Sequence, residues 1–366
     1  MNRTEFFENL KDKKVGIIGL GVSHFDLICL LLKKGIDVTV LDKREIAELG
    51  EQYETLNSLG AKFLLGQEYL ESLADFDIVF RTPGLYFLSE KLTEARKNGV
   101  VITSEMEVFF SICPCKIYAV TGSDGKTTST TLIGEMLKAQ GKTVYVGGNI
   151  GRALLPMIEQ INESDICVVE VSSFQLISMR PSPDVAVITN IAPNHLDVHK
   201  DMEEYISAKM NLIAHQNAFS RTVLNMDNEE TFKLAHLVRG EDCYFSIKTA
   251  PHNGSYLDKD GYLVRVKNGV ENKILHKSEI KLPGMHNVEN YLCAISAVNG
   301  EVDDEAIIQV ATQFGGVEHR IEYVKTIEGV RYYNDSIATS PTRTIAGLNA
   351  FDQKLIIIAG GYDKKI

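Results

Sequence analysis

The residues with the clearest chemical potential lie in one short stretch, Thr121-Gly122-Ser123-Asp124-Gly125-Lys126-Thr127-Thr128. The apolar run 116–120 before it predicts a strand, and residues 127–137 after it predict a helix. A glycine-containing loop between a strand and a helix directs backbone N–H groups to the positive end of the helix dipole, which suits phosphate. Lys126 would reach the outer phosphates of a nucleoside triphosphate, and the Thr127 hydroxyl would ligate Mg²⁺. Val120 stands where the longer form of this motif has its first glycine.

Polar side chains also follow the next apolar runs. Glu170 ends the run 165–169, and Asn149 comes after a run that closes with two glycines. A third run, 185–189, leads into the segment that contains His195. Since parallel strands bring their carboxyl ends to one edge of a sheet, Glu170 is a predicted Mg²⁺ ligand and His195 a predicted functional residue near it.

Three polar positions admit more than one interpretation. Lys209 falls on a predicted helix one turn after Tyr205, where a solvated lysine is the simplest interpretation. Asn287 and Asn290 stand at the start of a helix predicted over residues 288–298. Asn287 is either the N-cap of that helix or, together with Asn290, a contact for adenine or phosphate.

The N-terminal third has the layout of a dinucleotide-binding unit. A first strand runs into Gly19-Leu20-Gly21, a helix follows, and the second strand ends in Asp42. His24 occupies the position of the third glycine in that pattern. Three interpretations therefore stay open: an NAD site, a different nucleotide-like ligand, or a glycine turn needed only for packing. Ser23, Asp42 and Thr82 are all predicted at the carboxyl ends of strands and hence in one crevice.

Composition and charge limit the class of protein. The 366 residues are 44% hydrophobic and 24% charged, and the net charge of −11 argues against a nucleic-acid surface. The polar N-terminus and the lack of an apolar run of 18 residues predict neither a signal peptide nor a membrane span, and hence a soluble cytoplasmic protein. Of the six cysteines, Cys113 and Cys115 are separated by one residue only, so the spacing does not favour a zinc site, and reduced buried thiols are expected.

The alternation of strands and helices predicts an α/β fold in more than one domain. Near the C-terminus, residues 321–333 predict a strand, a turn and a second strand. Ser340 is a predicted N-cap with Pro341 in the first helical position, and residues 354–361 predict a buried parallel strand.

Taken in order, these motifs resemble those of the Mur ligase family, ATP-dependent enzymes that form amide bonds in peptidoglycan assembly. The resemblance spans the whole chain. It is carried by Thr121 to Thr128, Gly148-Asn149-Ile150-Gly151, Glu170, Asn194-His195-Leu196-Asp197, Lys209, Leu282 to Asn290, Glu318-His319-Arg320 and Asn334-Asp335-Ser336. The segment Glu170-Val171-Ser172-Ser173-Phe174-Gln175-Leu176 resembles the members that add D-glutamate.

The resemblance implies a three-domain architecture. Residues 1–110 are expected to form a Rossmann-like domain that binds the UDP-linked substrate rather than NAD. Residues 111–316 are expected to form a central P-loop ATPase-like domain with a mostly parallel sheet. Residues 317–366 are expected to begin a Rossmann-like C-terminal domain, which about fifty residues would leave incomplete. Because that domain carries most D-glutamate contacts in the family, the 366-residue chain is expected to bind the UDP-substrate but to ligate poorly.

The resemblance also implies roles for individual residues. The expected catalytic residues are Lys126, Glu170, His195 and Lys209. ATP is expected at Gly122, Ser123, Asp124, Gly125, Lys126, Thr127, Thr128, Asn287, Asn290, Arg320 and Asp335. The UDP-substrate is expected at Val22, Ser23, Asp42, Lys43, Arg44, Thr82, Pro83, Gly84, Asn149 and His195, and D-glutamate at Thr339 and Lys364. Two Mg²⁺ ions are expected on Thr127, Glu170, His195 and a carbamylated Lys209. Ile337 departs from the family, which often has lysine there.

The implied reaction joins D-glutamate to UDP-N-acetylmuramoyl-L-alanine through an acyl phosphate, with ADP and phosphate as products. The implied partners are these small molecules alone, and a monomer is expected. Two alternatives stay open: a family member that adds a different amino acid, and a nucleotide-binding module that is inactive because the third domain is incomplete.

Overall fold

The computed structural model describes residues 1–338, 341–351 and 353–360. Its first unit is a parallel five-stranded sheet in the order β3-β2-β1-β4-β5. The strands are β1 Val15–Ile18, β2 Val38–Asp42, β3 Lys62–Leu65, β4 Ile78–Phe80 and β5 Val101–Thr103. The first strand is apolar and buried along its whole length because helices cover both faces of the sheet, as parallel sheets require.

Six helices surround this sheet. They are α1 Arg3–Leu10, α2 Val22–Lys33, α3 Ile46–Leu49, α4 Glu51–Ser58, α5 Glu90–Lys97 and α6 Glu105–Ile112. The apolar face of α2 is fully buried through Leu27, Ile28 and Leu31, and it packs into the same core as Val40 of β2. This packing fixes the start of α2, and with it the glycine turn after β1, against the sheet.

The second unit is a nine-stranded sheet in the order β14-β13-β12-β11-β10-β9-β6-β8-β7. Its strands are β6 Lys116–Thr121, β7 Val144–Gly148, β8 Ile166–Glu170, β9 Val185–Ile188, β10 Arg221–Asn225, β11 Glu241–Ser246, β12 Gly254–Leu257, β13 Tyr262–Lys267 and β14 Val270–His276. All neighbours from β7 to β12 pair in parallel, and only β13 and β14 are antiparallel. The α/β class and the mostly parallel central sheet predicted from the sequence are therefore confirmed.

Helices cover both faces of the central sheet as well. They are α7 Lys126–Ala139, α8 Ser173–Leu176, α9 Met202–Ala214, α10 Glu229–Phe232, α11 Met285–Ala297 and α12 Asp304–Gln313. One core contains Leu132 of α7 and Tyr291 of α11, while Leu212 of α9 belongs to the core on the other face. The sequence places the start of α11 three residues too late, because Gly284 rather than Asn287 is its N-cap.

The last described segment consists of a hairpin and one helix. The hairpin pairs β15 Glu322–Ile327 with β16 Val330–Asn334, as the sequence predicts, and α13 Pro341–Leu348 follows. The N-cap prediction for Ser340 lies outside the described residues. The buried strand predicted from residue 354 is wrong for the described part of that stretch, because residues 354–360 pair with no strand there and Ile356 and Ile358 are 94% and 91% exposed.

A buried carboxyl group joins the two units. Glu105, in the first turn of α6, accepts a hydrogen bond from the backbone N–H of Leu155 at 2.9 Å. Burial raises the pKa of Glu105 from its ordinary value to about 7, although hydrogen bonds from the N–H groups of Leu155 and Leu154 act in the opposite direction. The folded state therefore holds the proton of Glu105 more tightly than the unfolded chain does.

We expect the Glu105→Gln variant to reveal this protonation in the pH dependence of stability. Because the pKa of Glu105 is raised on folding, its protonation contributes to the free energy of unfolding. This contribution is complete below the pKa of the unfolded chain, near 4.5, and it is lost as the pH rises through about 7. Glutamine does not titrate, so the free energy of unfolding of the variant should rise relative to wild type by up to about 3 kcal/mol between pH 4.5 and pH 8. Denaturant unfolding at several pH values measures this difference. The control is Glu94→Gln on the exposed side of α5, which should show no such trend, and an equal trend in both variants would contradict the assignment.

Candidate active site

The glycine loop adopts a conformation that its sequence makes possible. Gly122 and Gly125 have φ values of 150° and 77°, and Gly125 is the left-handed N-cap of α7. A Cβ atom on Gly125 would lie 2.5 Å from the Asn290 Oδ1 atom. Both the backbone angle and the close approach therefore require glycine at position 125, and the first turn of α7 is held open toward a ligand.

Two residues at the end of β9 hold the loop in place, and sequence reasoning missed this role. The Thr189 hydroxyl donates to the Asp124 carbonyl at 2.6 Å, and the Asp124 N–H donates to the Asn190 Oδ1 atom at 2.9 Å. The sequence offers one indication of this role, because Thr189 and Asn190 directly follow the apolar residues of β9. Only the strand order, which puts β9 beside β6, connects that end to the loop.

Two lysines converge on the loop from different helices. Lys126 Nζ donates to the carbonyl groups of Gly122 and Ser123, each at 3.0 Å. Lys209 Nζ, on α9, donates to the Gly122 carbonyl at 2.8 Å and to the Thr121 hydroxyl at 3.3 Å. The simplest interpretation from sequence, a solvated lysine, is wrong because Lys209 is only 1% exposed. Burial, reinforced by the charge of Lys126, lowers the pKa of Lys209 well below its usual range.

Hard oxygen donors meet at the start of α7. The Thr127 hydroxyl donates to the Glu170 Oε2 atom at 2.7 Å, and Asn149 Nδ2 donates to Oε1 of the same carboxylate at 2.8 Å. Arg320 Nη2 reaches the Thr127 hydroxyl at 2.9 Å. A carboxylate and a hydroxyl side by side at the mouth of a phosphate loop are donors of the kind that Mg²⁺ prefers, so the residues fit this ion.

His195 lies at the same end of the sheet in a less common backbone conformation. Its φ is 57°, and its ring packs edge-on against Phe174 with centroids 5.0 Å apart. Burial lowers the pKa of His195, and the nearby charge of Lys126 lowers it further. The neutral imidazole, which accepts protons and ligates metals, is therefore favoured near the two lysines.

A second histidine, which sequence reasoning missed, supports this corner. His199 is buried, stacks on Phe174 at 5.1 Å and contacts Glu204 and Ser173 through its ring nitrogens at 3.0 and 2.9 Å. The recurrence of histidine four residues after His195 was the available signal. The ring orders the segment that carries His195.

A cleft extends from the loop to the C-terminal segment. It is lined by Asp124, Gly125 and Thr128 of the loop, by Asn287 and Asn290 of α11, and by Arg320 and Asp335. The structure thus brings together predicted nucleotide contacts that lie far apart in the sequence. The N-cap interpretation of Asn287 is wrong, because its side-chain amide donates to the Pro283 carbonyl at 2.7 Å from within the helix.

In the first unit, the carboxyl ends of β2 and β4 lie on either side of that of β1. Asp42 accepts a hydrogen bond from the Leu20 N–H at 2.7 Å and forms an ion pair with Arg44 at 2.8 Å. Burial raises the pKa of Asp42, but the hydrogen bonds from Arg44 and from backbone N–H groups outweigh it and lower the value to about 2. Thr82 faces Gly19 on the neighbouring strand end, since a Cβ atom on that glycine would lie 3.3 Å from the threonine side chain.

The other predicted substrate contacts are distributed as follows. The helix α2 begins at Val22, and Ser23 in its first turn is half-buried, as are Thr82 and Pro83, whereas Lys43 and Gly84 are exposed. The predicted D-glutamate contacts, Thr339 and Lys364, lie outside the described residues.

Arg81 connects the two units beside the site, and sequence reasoning gave it no role. Its guanidinium is buried, and Nη2 donates to the Phe174 carbonyl at 2.6 Å and to the Ser178 hydroxyl at 2.9 Å. Burial lowers the pKa of Arg81 to about 10, so the side chain stays charged at neutral pH. A cation that ends an apolar strand was the available sequence signal.

Comparisons with known proteins agree with this geometry. A family model described as the Mur ligase middle domain matches residues 120–298, and one described as the MurD-like N-terminal domain of Mur ligases matches residues 13–104. Within the described ranges, every helix is too short or too polar to cross a lipid bilayer.

Two curated relatives share about half of their residues with this chain. The UDP-N-acetylmuramoylalanine--D-glutamate ligase of Acetivibrio thermocellus is 52% identical over 362 residues, which is 99% of this chain and 78% of the relative. The enzyme of the same name from Clostridium kluyveri is 50% identical over 100% of this chain and 79% of its own length.

Solved structures show the same fold at low sequence identity. The UDP-N-acetylmuramate-alanine ligase MurC from Thermotoga maritima has a TM-score of 0.56 and 22% identity, covering 93% of this chain and 79% of that structure. The MurF ligase from Thermotoga maritima, solved with ADP, has a TM-score of 0.53 and 17% identity, covering 94% of this chain and 73% of that structure. Two family models match in order, and a curated relative is 52% identical over 99% of this chain, so the chain belongs to the Mur ligase family.

Proposed function

We propose that this chain is an ATP-dependent ligase that adds D-glutamate to UDP-N-acetylmuramoyl-L-alanine in cytoplasmic peptidoglycan synthesis. The observation that carries the proposal is the 52% identity, over 99% of the chain, to a ligase of that name. Convergence of Lys126, Lys209 and the Thr127–Glu170 pair on one glycine loop supports a reaction in which a phosphoryl group moves.

The proposed reaction has two steps. An oxygen of the L-alanine carboxylate attacks the γ-phosphorus of ATP, and the bond from that phosphorus to the ADP oxygen breaks. The amine of D-glutamate then attacks the carbonyl carbon of the acyl phosphate, phosphate leaves with the bonding electron pair, and the amine loses a proton. Phosphorylation is needed because a free carboxylate oxygen is a poor leaving group.

The proposed residue roles follow the geometry. Lys126 and the backbone N–H groups of the loop bind phosphate and stabilise charge on the transferring group. Asn287, Asn290, Arg320 and Asp335 contact the nucleotide from the cleft beyond the loop. Asn149 and His195 orient the reacting carboxylate. Two Mg²⁺ ions would be held by Thr127, Glu170, His195 and Lys209, and they supply neutralisation of the phosphate charge.

Lys209 is proposed to act as a carbamate. Burial lowers the pKa of its amine and so favours the uncharged form, which is the form that attacks CO₂. In that reaction a bond forms between Nζ and the carbon of CO₂, and Nζ loses a proton. The product exchanges a neutral amine for a carboxylate beside Lys126, which suits the Mg²⁺ ligation proposed for it.

The remaining parts of the proposal concern architecture. Residues 1–110 would bind the UDP-linked substrate through Val22, Ser23, Asp42, Lys43, Arg44, Thr82, Pro83 and Gly84. Residues 111–316 would bind ATP, and residues 317–366 would begin the domain that binds D-glutamate through Thr339 and Lys364. The chain would act as a monomer on small molecules.

The amino-acid specificity is tested by phosphate release with ATP, UDP-N-acetylmuramoyl-L-alanine and one amino acid at a time. We expect only D-glutamate to stimulate release. Lys126→Ala should abolish release, because the loop then lacks the positive charge that stabilises the transferring phosphoryl group. Stimulation by another amino acid and none by D-glutamate would overturn the specificity.

The carbamate is tested with Lys209→Ala in the same phosphate-release assay. We expect activity to fall at least about 100-fold and to be partly restored by short carboxylic acids, which place a carboxylate in the vacated space. The matched control is Lys138→Ala, an exposed lysine on α7, which should keep wild-type activity and show no response to the acids. Full activity of Lys209→Ala without added acid would contradict the carbamate role.

Substrate binding by the first unit is tested with Arg44→Ala. The arginine holds both Asp42 and the Leu20 carbonyl, so its removal should loosen the crevice and raise the Kd for UDP-N-acetylmuramoyl-L-alanine about tenfold. Calorimetric titration of the 366-residue chain measures this. Lys62→Ala, which breaks an ion pair with Asp37 near the start of β3, serves as the control and should leave the Kd unchanged. An unaltered Kd in Arg44→Ala would place the substrate elsewhere.

A further inference from the structure

Three cysteine side chains meet at the connection between the two units. Cys113 is the C-cap of α6, Cys115 directly precedes β6, and Cys167 is the second residue of β8. Their sulfur atoms are 3.6 Å apart for Cys113 and Cys115, 3.5 Å for Cys115 and Cys167, and 3.9 Å for Cys113 and Cys167. All three are free thiols.

The sequence alone gave no reason to expect this cluster. Cys113 and Cys115 are separated by a single residue, which argued against a metal site, and Cys167 is 52 residues beyond Cys115. The third thiol arrives because β8 pairs with β6 in the sheet and aligns Cys167 with Ile117. The parallel pairing therefore completes a group of ligands that spacing did not reveal.

The distances between the sulfur atoms match those of a thiolate metal site. A metal–sulfur bond of about 2.3 Å gives sulfur–sulfur separations of about 3.8 Å in a tetrahedral site and about 4.0 Å in a trigonal one. The observed separations of 3.5 to 3.9 Å need only a small expansion to accept an ion between them. A disulfide, by contrast, requires two sulfur atoms to approach to about 2.05 Å.

The cluster has a route to solvent. Cys113 is half-buried and lines a surface groove with Asn2, Arg3 and Asn162, so an ion reaches the cluster from that side.

The position separates the cluster from the candidate active site. Cys167 precedes Glu170 by three residues, which is about 10 Å along a strand. Since successive side chains alternate between faces, the two side chains point to opposite faces of the sheet. Ligation at the cysteines therefore leaves the phosphate loop and its oxygen donors untouched.

We propose that Cys113, Cys115 and Cys167 form a binding site for one thiophilic metal ion of the Zn²⁺ and Cd²⁺ class, held by three thiolates. Soft thiolate ligands select such ions over Mg²⁺, so the site and the nucleotide site do not compete for the same metal. Binding forms three metal–sulfur bonds, and each thiol that still carries its proton releases it to the buffer. An ion at this place would tie α6 of the first unit to β6 and β8 of the second.

The experiment is a titration of the reduced 366-residue chain with Cd²⁺ in the absence of oxygen, nucleotide and Mg²⁺. Thiolate-to-cadmium charge transfer in the ultraviolet reports binding, and we expect it to saturate at one ion per chain with proton release. Zn²⁺ added afterwards should displace Cd²⁺ and remove the absorption. Saturation without charge-transfer absorption, or disulfide formation in place of metal uptake, would overturn the proposal.

The variants locate the ion. Cys115→Ser and Cys167→Ser should each weaken Cd²⁺ binding at least about 100-fold, because a neutral hydroxyl replaces a thiolate ligand. Circular dichroism checks that the variants fold. If a variant of the buried Cys115 or Cys167 does not fold, Cys113→Ser provides the same test at a half-buried position. Cys29→Ser, which removes a half-buried thiol from α2, is the matched control and should bind as wild type does. Equal binding in Cys113→Ser and wild type would overturn the assignment.

Discussion

The site depends on the crowding of two amines around one carbonyl oxygen. Lys126 and Lys209 both donate to the Gly122 carbonyl, at 3.0 and 2.8 Å, although they belong to different helices. Two ammonium groups at such a place would repel each other, and the buried one would also lose its hydration. Burial and the nearby charge of Lys126 lower the pKa of Lys209, so the fold favours the uncharged amine where phosphate and metal are expected.

Hydrogen bonds also fix the position of the negative charge at the site. Glu170 already accepts hydrogen bonds from Thr127 and Asn149, so its carboxylate is oriented before any ion arrives. The loop itself contributes N–H groups and the positive end of α7. The carboxylate and the loop N–H groups thus lie at one end of the sheet, where the proposed reaction needs ligands for Mg²⁺ and for the nucleotide phosphates.

Sequence reasoning predicted the elements correctly where consecutive residues determine them. The strand, glycine loop and helix around Lys126 follow one another in the chain, so their order can be read from the residues themselves. Glu170 and Asn149 were also predictable, because each ends an apolar strand and parallel strands share one carboxyl edge. The α/β class follows from the same alternation of strands and helices.

The remaining features of the site depend on contacts between residues that are far apart in the sequence, and no local pattern encodes such contacts. Whether Lys209 is solvated or buried is decided by the packing of α9 against the loop, and a helical pattern is compatible with both. Asn190 and Cys167 gain their neighbours only from strand order, since β6 lies between β9 and β8. The failed prediction of a strand at residues 354–360 has the same cause, because an apolar run becomes a strand only where another strand pairs with it.

The junction between the two units contains buried polar groups, which orient the two units relative to each other more than they add to the free energy of unfolding. Arg81 brings a charged group into the interface to bind one carbonyl and one hydroxyl, and Glu105 brings a carboxyl group to bind a backbone N–H. Well-packed apolar residues in these places would cost less to bury. Directional hydrogen bonds instead fix the angle at which β4 meets the segment carrying Phe174. If the first unit holds the UDP-linked substrate as proposed, that angle would set where the substrate presents its carboxylate to the phosphate loop, and the accuracy of the proposed phosphoryl transfer would rest on these buried polar contacts.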